Sequence, residues 1–337
     1  MDIRQAIAAV VDGVDLSSEE MSAVMRQIMQ GEATPAQIGG FLAGLRAKGE
    51  TVPEIAGAAR VMREFASRVE VDGDRLVDTA GTGGDGRGIF NVSTGACFAI
   101  AAAGARVAKH GNRSLSSSSG SADVLETLGV RIDMTPEEIA AAIDAIGIAF
   151  LFAPGHHAAT RHAAGPRKEL GTRTVFNLLG PLTNPAGAPN QIMGVFSPEW
   201  VEPIAHVFQA LGSRHVLVFH SDDGLDEISV GAPTKVAELW EAQVHSYRVS
   251  PEDFGIQRAP VDSLVVDGPE ASAKLIRGVL AGEQGPAADM VAMNAGAGIY
   301  VAGLADSLAD GVRLAQAVLA DGRAKASLEA LQARSRQ

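Results

Sequence analysis

From the N-terminus to about Arg68, apolar residues recur at the spacing of a helix face, as in Ile38, Phe41, Leu42 and Leu45. Three helix starts are written into the same stretch. Each is a polar cap followed three residues later by Glu or Gln: Ser17 with Glu20, Thr34 with Gln37, and Thr51 with Glu54. Pro35 takes the first helical position after Thr34, where its missing N–H costs nothing. The pattern predicts a helical packing unit that carries no chemistry of its own, with apolar faces available for a subunit contact.

Beyond Val71-Asp72-Gly73-Asp74 the period changes. Residues 75–79 read as a short strand, 81–86 as a glycine loop, 93–103 as a helix of small residues, 106–108 as a second strand, and 122–128 as the start of another helix. Apolar runs at 148–152, 192–196, 216–219 and 264–266 are expected to be further strands, separated by helical or turn-rich segments. The alternation predicts an α/β fold, with a small helical domain followed by a larger α/β domain whose central sheet is mostly parallel. Ligands of such sheets sit beyond the carboxyl ends of the strands, which is where the motifs below fall.

At 337 residues the chain is long enough for two packed units or one large α/β domain, and its 46% hydrophobic content supplies the core. A formal net charge of −12 argues against sequence-independent nucleic-acid binding, which needs cations to neutralise phosphates. A small anionic ligand stays compatible, because clustered Lys, Arg and N–H groups reverse the field inside a cleft. The single cysteine, Cys97, excludes an intrachain disulfide and a cysteine-built zinc site, and its Ala-rich surroundings read as buried packing. The N-terminal stretch turns acidic without a long apolar core, and no run is long and clean enough to span a membrane. The cytoplasm is the expected location.

Gly81, Gly83 and Gly86 satisfy the G-x-G-x-x-G spacing of dinucleotide loops. Such a loop requires an acidic residue about 20 residues on, and here the next strand ends in Lys109-His110 instead. Asp85 would repel a bare pyrophosphate unless a metal stood between them. No Gly-Lys-Ser/Thr follows, so the loop is not a Walker motif; a tight turn without ligand is the alternative. Asn91-Val92-Ser93-Thr94 then places hydroxyls and free N–H groups at a helix start, a ready anion site. Lys109-His110-Gly111-Asn112-Arg113-Ser114, serines 116–119, Gly120 and Ser121 repeat the arrangement at a second helix start. Two strand–loop–helix units thus present donors at one edge, one set for a 5′-phosphate and one for a pyrophosphate. Lys109 and Arg113 also read as a solvated surface pair, and His110 as a histidine bonded to backbone.

Asp222, Asp223, Asp226 and Glu227 set four carboxylates in six positions after the 216–219 run, mutually repulsive without a cation. Asp226 and Glu227, with a diphosphate and water, suit Mg²⁺; Asp222 and Asp223 read as ordinary surface acids. Between these motifs lies a histidine–arginine segment, in which His157 and Arg161 share a helical face but no third ligand stands at zinc spacing. Arg167 is suited to a two-pronged hold on a carboxylate. Residues 176–185 make a rigid turn that either walls an apolar pocket or simply reverses the chain.

Taken together, Gly81-Thr82-Gly83-Gly84-Asp85, Asn91-Val92-Ser93-Thr94, Lys109-His110-Gly111-Asn112-Arg113-Ser114, Gly120-Ser121-Ala122-Asp123, the strings at 167–174 and 177–185, and Asp226-Glu227 resemble the anthranilate phosphoribosyltransferases. The resemblance runs in family order over nearly the whole chain. It implies a helical domain over 1–70, joined by an insertion around 155–190, and an α/β domain over 71–337 of the nucleoside phosphorylase/phosphoribosyltransferase kind. The implied reaction moves the phosphoribosyl group of phosphoribosyl pyrophosphate to the amine of anthranilate, with two Mg²⁺ ions per site and no general base. The implied assembly is a homodimer through the helical domain, with no nucleic-acid or membrane partner.

On the phosphoribosyl pyrophosphate side the resemblance places Gly81, Gly83, Gly84, Asp85, Asn91, Ser93, Thr94, Lys109, Asn112, Arg113, Ser114, Ser117 and Ser121. On the anthranilate side it places Gly81, Asn112, His157, Arg167 and Gly180, and on the metals Ser93, Asp226 and Glu227. A related-fold nucleoside phosphorylase is the nearest rival, disfavoured by Asn112-Arg113-Ser114. A catalytically silent nucleic-acid-binding relative is disfavoured by the acidic balance and the intact Asp226-Glu227 pair.

Three positions depart from the family pattern: Ile89 where threonine facing the diphosphate is common, Ser118 where lysine is, and Thr160 where methionine is usual near the acceptor. They predict weaker sugar-phosphate binding or an altered acceptor pocket within the same reaction. Titration calorimetry with phosphoribosyl pyrophosphate should show tighter binding after Ile89→Thr; no gain would remove Ile89 from this account.

Overall fold

The computed structural model describes residues 1–84, 86–113 and 119–337. Helices α1 (Ile3–Val11), α2 (Ser18–Gln30), α3 (Pro35–Lys48) and α4 (Val52–Glu64) come first. The α2 start forms as expected: the Ser17 hydroxyl accepts from the Glu20 N–H at 3.2 Å, and the Glu20 carboxylate accepts from the Ser17 N–H at 2.9 Å. Thr34 and Gln37 repeat this at α3. Helix α1 carries a further reciprocal cap, Asp2 with Gln5. At α4, Glu54 accepts from the Thr51 N–H at 2.8 Å, but the buried Thr51 hydroxyl has no partner among the described residues. Glu54 also takes the Leu16 N–H at 2.9 Å and the Lys48 ammonium at 3.0 Å. A fully buried carboxylate therefore ties the turn before α2 to the turn between α3 and α4.

A seven-stranded sheet follows: β1 (Leu76–Gly81), β2 (Arg106–Gly111), β3 (Ile148–Phe152), β4 (Asn190–Gly194), β5 (His215–Ser221), β6 (Thr234–Trp240) and β7 (Gln243–Val249). Its order is β3-β2-β1-β4-β5-β6-β7, with β1 to β5 parallel and the last two strands antiparallel. Helix α5 (Val92–Ala102) joins β1 to β2, and α6 (Ser121–Thr127) and α7 (Pro136–Ile146) lie between β2 and β3. Between β3 and β4 come α8 (Ala153–His156), α9 (Arg161–Leu170) and α10 (Phe176–Leu179), and α11 (Val201–Ala210) leads to β5. Helices α12 (Gly268–Leu280), α13 (Pro286–Val301), α14 (Leu308–Ala320) and α15 (Arg323–Ser335) complete the order. Among the described residues no helix is long and apolar enough to cross a membrane.

Strand alternation divides the apolar side chains between two layers. Leu217 and Phe219 of β5 enter the core built with α5 and α12 to α15. Val216 and Val218 enter the core shared with α1 to α4 and α11. From β1 the chain winds outward to β2 and β3, then returns to the other edge of β1 as β4. The winding reverses there, and a doubly wound sheet opens its crevice at that point. Gly81 and Gly194, the last residues of β1 and β4, pair with each other at the crevice.

Two features differ from expectation. Residues 264–266 do not form a strand: a 3₁₀ turn spans Val261–Leu264, and Val265 makes only an isolated bridge to Ile89. The segment pairs with the short loop 88–90, through Phe90 N–H to Leu264 O and Val266 N–H to Gly88 O, both 2.9 Å, and has no neighbouring strand to extend along. The β6–β7 hairpin was not foreseen. Its turn residues Glu241 and Ala242 have φ of 49° and 57°, the left-handed pair that a two-residue hairpin demands, without the Asn-Gly that normally announces it.

The Glu54 knot should matter for stability, because removing one partner of a buried ion pair strands the other. Glu54→Gln is expected to lower the unfolding free energy in urea by roughly 3 kcal/mol, whereas Glu20→Gln, at an exposed cap, should cost under about 1 kcal/mol.

Candidate active site

The glycine loop leaves β1 pinned on several sides. The Thr82 N–H donates to Gly194 O at 2.9 Å, and the Thr82 hydroxyl accepts from the Phe196 N–H at 2.9 Å. The Gly83 N–H donates to Asp226 Oδ2 at 2.9 Å, and Arg173 Nη2 donates to Gly84 O. Gly83 and Gly84 have φ of 62° and 77°, consecutive left-handed residues that only glycine adopts without strain. Such a run turns main-chain N–H groups toward a common concavity, the usual backbone device for anions.

Asp226 and Glu227 follow β5 and lean over this loop. Glu227 Oε1 accepts from the Ser93 N–H, in the first turn of α5, at 3.2 Å. The two adjacent carboxylates therefore reach two different anion-binding backbones, the glycine loop and a helix N-terminus. A β carbon on Gly81 would lie 2.8 Å from Asp226 Oδ2, and one on Gly194 would lie 1.6 Å from Asp226 O. Gly194 admits no side chain while the acidic loop lies where it does, and a side chain at Gly81 would push the Asp226 carboxylate aside. Asp222 and Asp223 take no part: Asp222 pairs with Arg248, and Asp223 accepts from the Ser221 and Ser229 hydroxyls.

Beneath the first turn of α5 lies Lys109, nearly buried, donating to Thr79 O at 2.8 Å, Thr79 Oγ1 at 3.3 Å and Ser93 Oγ at 3.4 Å. Among the described residues its contacts are neutral oxygens, with no direct ion pair to cancel its charge. Next to it in the sheet, the fully buried Asp78 accepts from the His110 N–H at 3.1 Å. Burial pushes its carboxyl up to about 6, against the opposing pull of Asn184, the His110 N–H and Lys109.

A second cluster is built from β2, α8 and α9. The His110 and His157 rings meet edge to face at 5.1 Å, and Nε2 of each is buried without a partner among the described residues. Burial, with neighbouring histidines adding to it, holds His110 well below its usual range and His157 down to about 4. Both rings are neutral near pH 7. Arg167 stacks its guanidinium 4.9 Å from the Phe176 ring centre, and burial lowers its pKa. Among the described residues it forms no ion pair, which leaves a partly desolvated cation ready for a carboxylate.

Residues 4–66 match the family profile described as glycosyl transferase family, helical bundle domain, and residues 73–325 the one described as glycosyl transferase family, a/b domain. The chain is 58% identical over 331 residues to the anthranilate phosphoribosyltransferase of Thioalkalivibrio sulfidiphilus, covering 98% of each. It is 57% identical to that of Methylococcus capsulatus, covering 100% of this chain and 99% of the relative. The chain belongs to the anthranilate phosphoribosyltransferase family. The crystal structure of the Thermus thermophilus family member superimposes with a TM-score of 0.94 at 48% identity, covering 98% of this chain and 99% of that one. The Saccharomyces cerevisiae member, in complex with PRPP and Mg, gives 0.90 at 26% identity, covering 99% and 98%.

In this anthranilate phosphoribosyltransferase family member the site residues read from sequence are distributed unevenly. Gly81, Gly83, Gly84, Ser93, Lys109, Asp226 and Glu227 converge on the crevice, as the contacts above describe. Asp85, Ser114, Ser117 and Ser118 lie outside the described residues. Asn91 is engaged by protein: it accepts from Ser119 and Ser272 hydroxyls, both at 2.8 Å, and ties the β2–α6 connection to α12. Thr94 is fully buried, and its hydroxyl has no partner among the described residues. Arg113 turns toward α6, paired with Asp123 at 2.8 Å and Glu126 at 2.5 Å. Asn112 Oδ1 accepts from the Arg113 N–H at 2.7 Å, the Ser121 hydroxyl donates to Asn112 O at 3.4 Å, and Gly180 O accepts from the Thr183 hydroxyl at 3.0 Å. The Thr160 hydroxyl donates to His157 O at 2.7 Å, a contact methionine could not make. Ile89 packs against the larger core, so threonine there carries a packing cost.

Sequence reasoning missed Asp78, Thr82, Arg173 and Phe196. Thr82 and Arg173 stood inside the glycine string and the 167–174 string without a role, and nothing local marks Asp78 or Phe196; each acts through partners far along the chain. Among the described residues no three His, Cys, Asp or Glu side chains form a metal cluster. An ion at Asp226 and Glu227 would draw its remaining oxygens from the Ser93 hydroxyl, water and a ligand. That hard-oxygen donor set fits Mg²⁺.

The depressed histidines give a pH signature. Below pH 6.5 the unfolded chain binds protons that His157 refuses until about 4, so this pair makes stability fall as pH drops through that window. Asp78 works oppositely: folded, it takes its proton near 6 rather than 3.8, and adds stability as pH falls between them. His157→Gln is expected to flatten the loss of urea stability between pH 6.5 and 4; a profile parallel to the wild type would show that His157 is not held neutral.

Proposed function

We infer that the protein transfers the phosphoribosyl group of phosphoribosyl pyrophosphate to the amine of anthranilate, giving N-(5-phosphoribosyl)anthranilate and pyrophosphate. The observation that carries this reading is the meeting of Asp226 and Glu227 with the Gly83 and Ser93 N–H groups at the switch point of the sheet. Carboxylates gathered at anion-binding backbone make sense where a cation-bridged diphosphate is the ligand.

The glycine loop, the α5 N-terminus and Lys109 bind and orient the diphosphate, with Asp85, Asn91, Thr94, Asn112, Arg113, Ser114, Ser117 and Ser121 assigned to the same substrate. Asp226, Glu227 and Ser93 would hold Mg²⁺, two ions in this proposal, which neutralise charge on the departing pyrophosphate. Arg167 takes the acceptor carboxylate, with Gly81, Asn112, His157 and Gly180 around it. The neutral His110–His157 pair offers the aromatic acceptor a flat wall with no competing charge. An aromatic amine is already unprotonated near pH 7, so orientation in line with the anomeric carbon does what a base would otherwise do. The working partition is a helical unit over 1–70 joined by 155–190, and an α/β unit over 71–337. Exposed Val11 and Val14 on the helical unit support a homodimer through that surface. A cytoplasmic location accords with a biosynthetic role.

Anthranilate fluorescence should decay on adding phosphoribosyl pyrophosphate and Mg²⁺, and the Asp226→Ala, Glu227→Ala protein should lose this activity. Arg167→Gln should raise KM for anthranilate about tenfold or more, the worth of a charge-assisted pair, with KM for the sugar substrate little changed. Undiminished turnover by the double variant in chelator would overturn the reading.

A further inference from the structure

Arg173 follows α9 by three residues and reaches from the acceptor-side segment to the glycine loop. Its guanidinium does two things at once. It donates to the Gly84 carbonyl, and it lies 4.2 Å from the centre of the Phe196 ring. Phe196 is itself joined to the loop, since its N–H donates to the Thr82 hydroxyl at 2.9 Å. The Thr82 N–H in turn donates to Gly194 O, the end of β4. The loop, the end of β4, an aromatic platform and the guanidinium thus form a closed circuit. A β carbon on Gly84 would lie 3.0 Å from Arg173 Nη2, tight against the guanidinium.

We propose that Arg173 is a positioning residue that holds the glycine loop in its diphosphate-receiving shape. The proposal rests on the reading of that loop as the diphosphate site. Two left-handed glycines in a row are free to adopt many other conformations, and something must select this one. A carbonyl oxygen left bare in the loop would repel an incoming anion; engaged by the guanidinium, Gly84 O is neutralised. The planar guanidinium stacks and donates in one geometry, which an ammonium cannot reproduce. The role is therefore one of shape as well as charge.

Steady-state kinetics on the full chain with Mg²⁺, phosphoribosyl pyrophosphate and anthranilate test this. Arg173→Gln is expected to raise KM for phosphoribosyl pyrophosphate about tenfold, with kcat and KM for anthranilate changed less than about twofold. Arg173→Lys should fail to restore the wild-type value. Phe196→Leu keeps the charge but removes the platform, and should raise the same KM several-fold; combined with Arg173→Gln it should add little. Should Arg173→Gln not fold, Phe196→Leu with Arg173→Lys carries the test. An unchanged KM, full rescue by lysine, or a parallel fall in kcat and both affinities with a lower Tm would each overturn the clamp. Wild-type protein that fails to consume anthranilate would sink the function instead, so the two failures are separable.

Discussion

Two missing β carbons govern the geometry of the crevice. Gly81 and Gly194 end the paired strands β1 and β4, and the main chain and carboxylate of Asp226 occupy the space their side chains would need. With that space free, the segment after β5 folds back over the sheet edge and sets Asp226 on the glycine loop and Glu227 on α5. Bonds from neutral N–H groups to carboxylates contribute about 1.5–3 kcal/mol each, enough to hold adjacent like charges together at the site. A side chain at Gly194 would lift the acidic loop away and separate the two anion-binding backbones it joins, and one at Gly81 would displace the Asp226 carboxylate.

Electrostatic sorting follows from this arrangement. A chain with net charge −12 nevertheless keeps Lys109 beneath α5, Arg173 on the glycine loop and Arg167 against Phe176. Each is partly desolvated, and the oxygens that Lys109 and Arg173 meet there belong to neutral groups. Arg113 contrasts with them, its charge already answered by Asp123 and Glu126 on α6. The histidine cluster is organised by burial more than by charge: His110 and His157 stay neutral because the sheet and α8 exclude water from them. A second buried polar group, His215 with Glu238 and Tyr247, lies at the amino end of β5, where no ligand edge exists, and serves the β5–β6–β7 join.

Signals confined to a few consecutive residues were legible in the sequence: the caps at Ser17 and Thr34, the glycine loop after β1, the adjacent pair Asp226-Glu227, and the alternation that builds a parallel sheet. Each depends on atoms within a turn or on the period of one element, so the residue string contains the whole cause. The helical unit, the sheet and the family resemblance rested on such signals.

The tertiary structure decided what depends on partners far apart in the chain. Glu54 caps its own helix and also ties Leu16 and Lys48. Glu241 and Ala242 accept left-handed backbone because β6 and β7 must meet, and 264–266 stays out of the sheet because only the loop 88–90 is there to pair with it. Gly83 finds Asp226 across 143 positions, and Gly84 finds Arg173 across 89. No local pattern encodes such contacts. They exist once the strand order has been chosen and the strand ends have been brought within hydrogen-bonding distance.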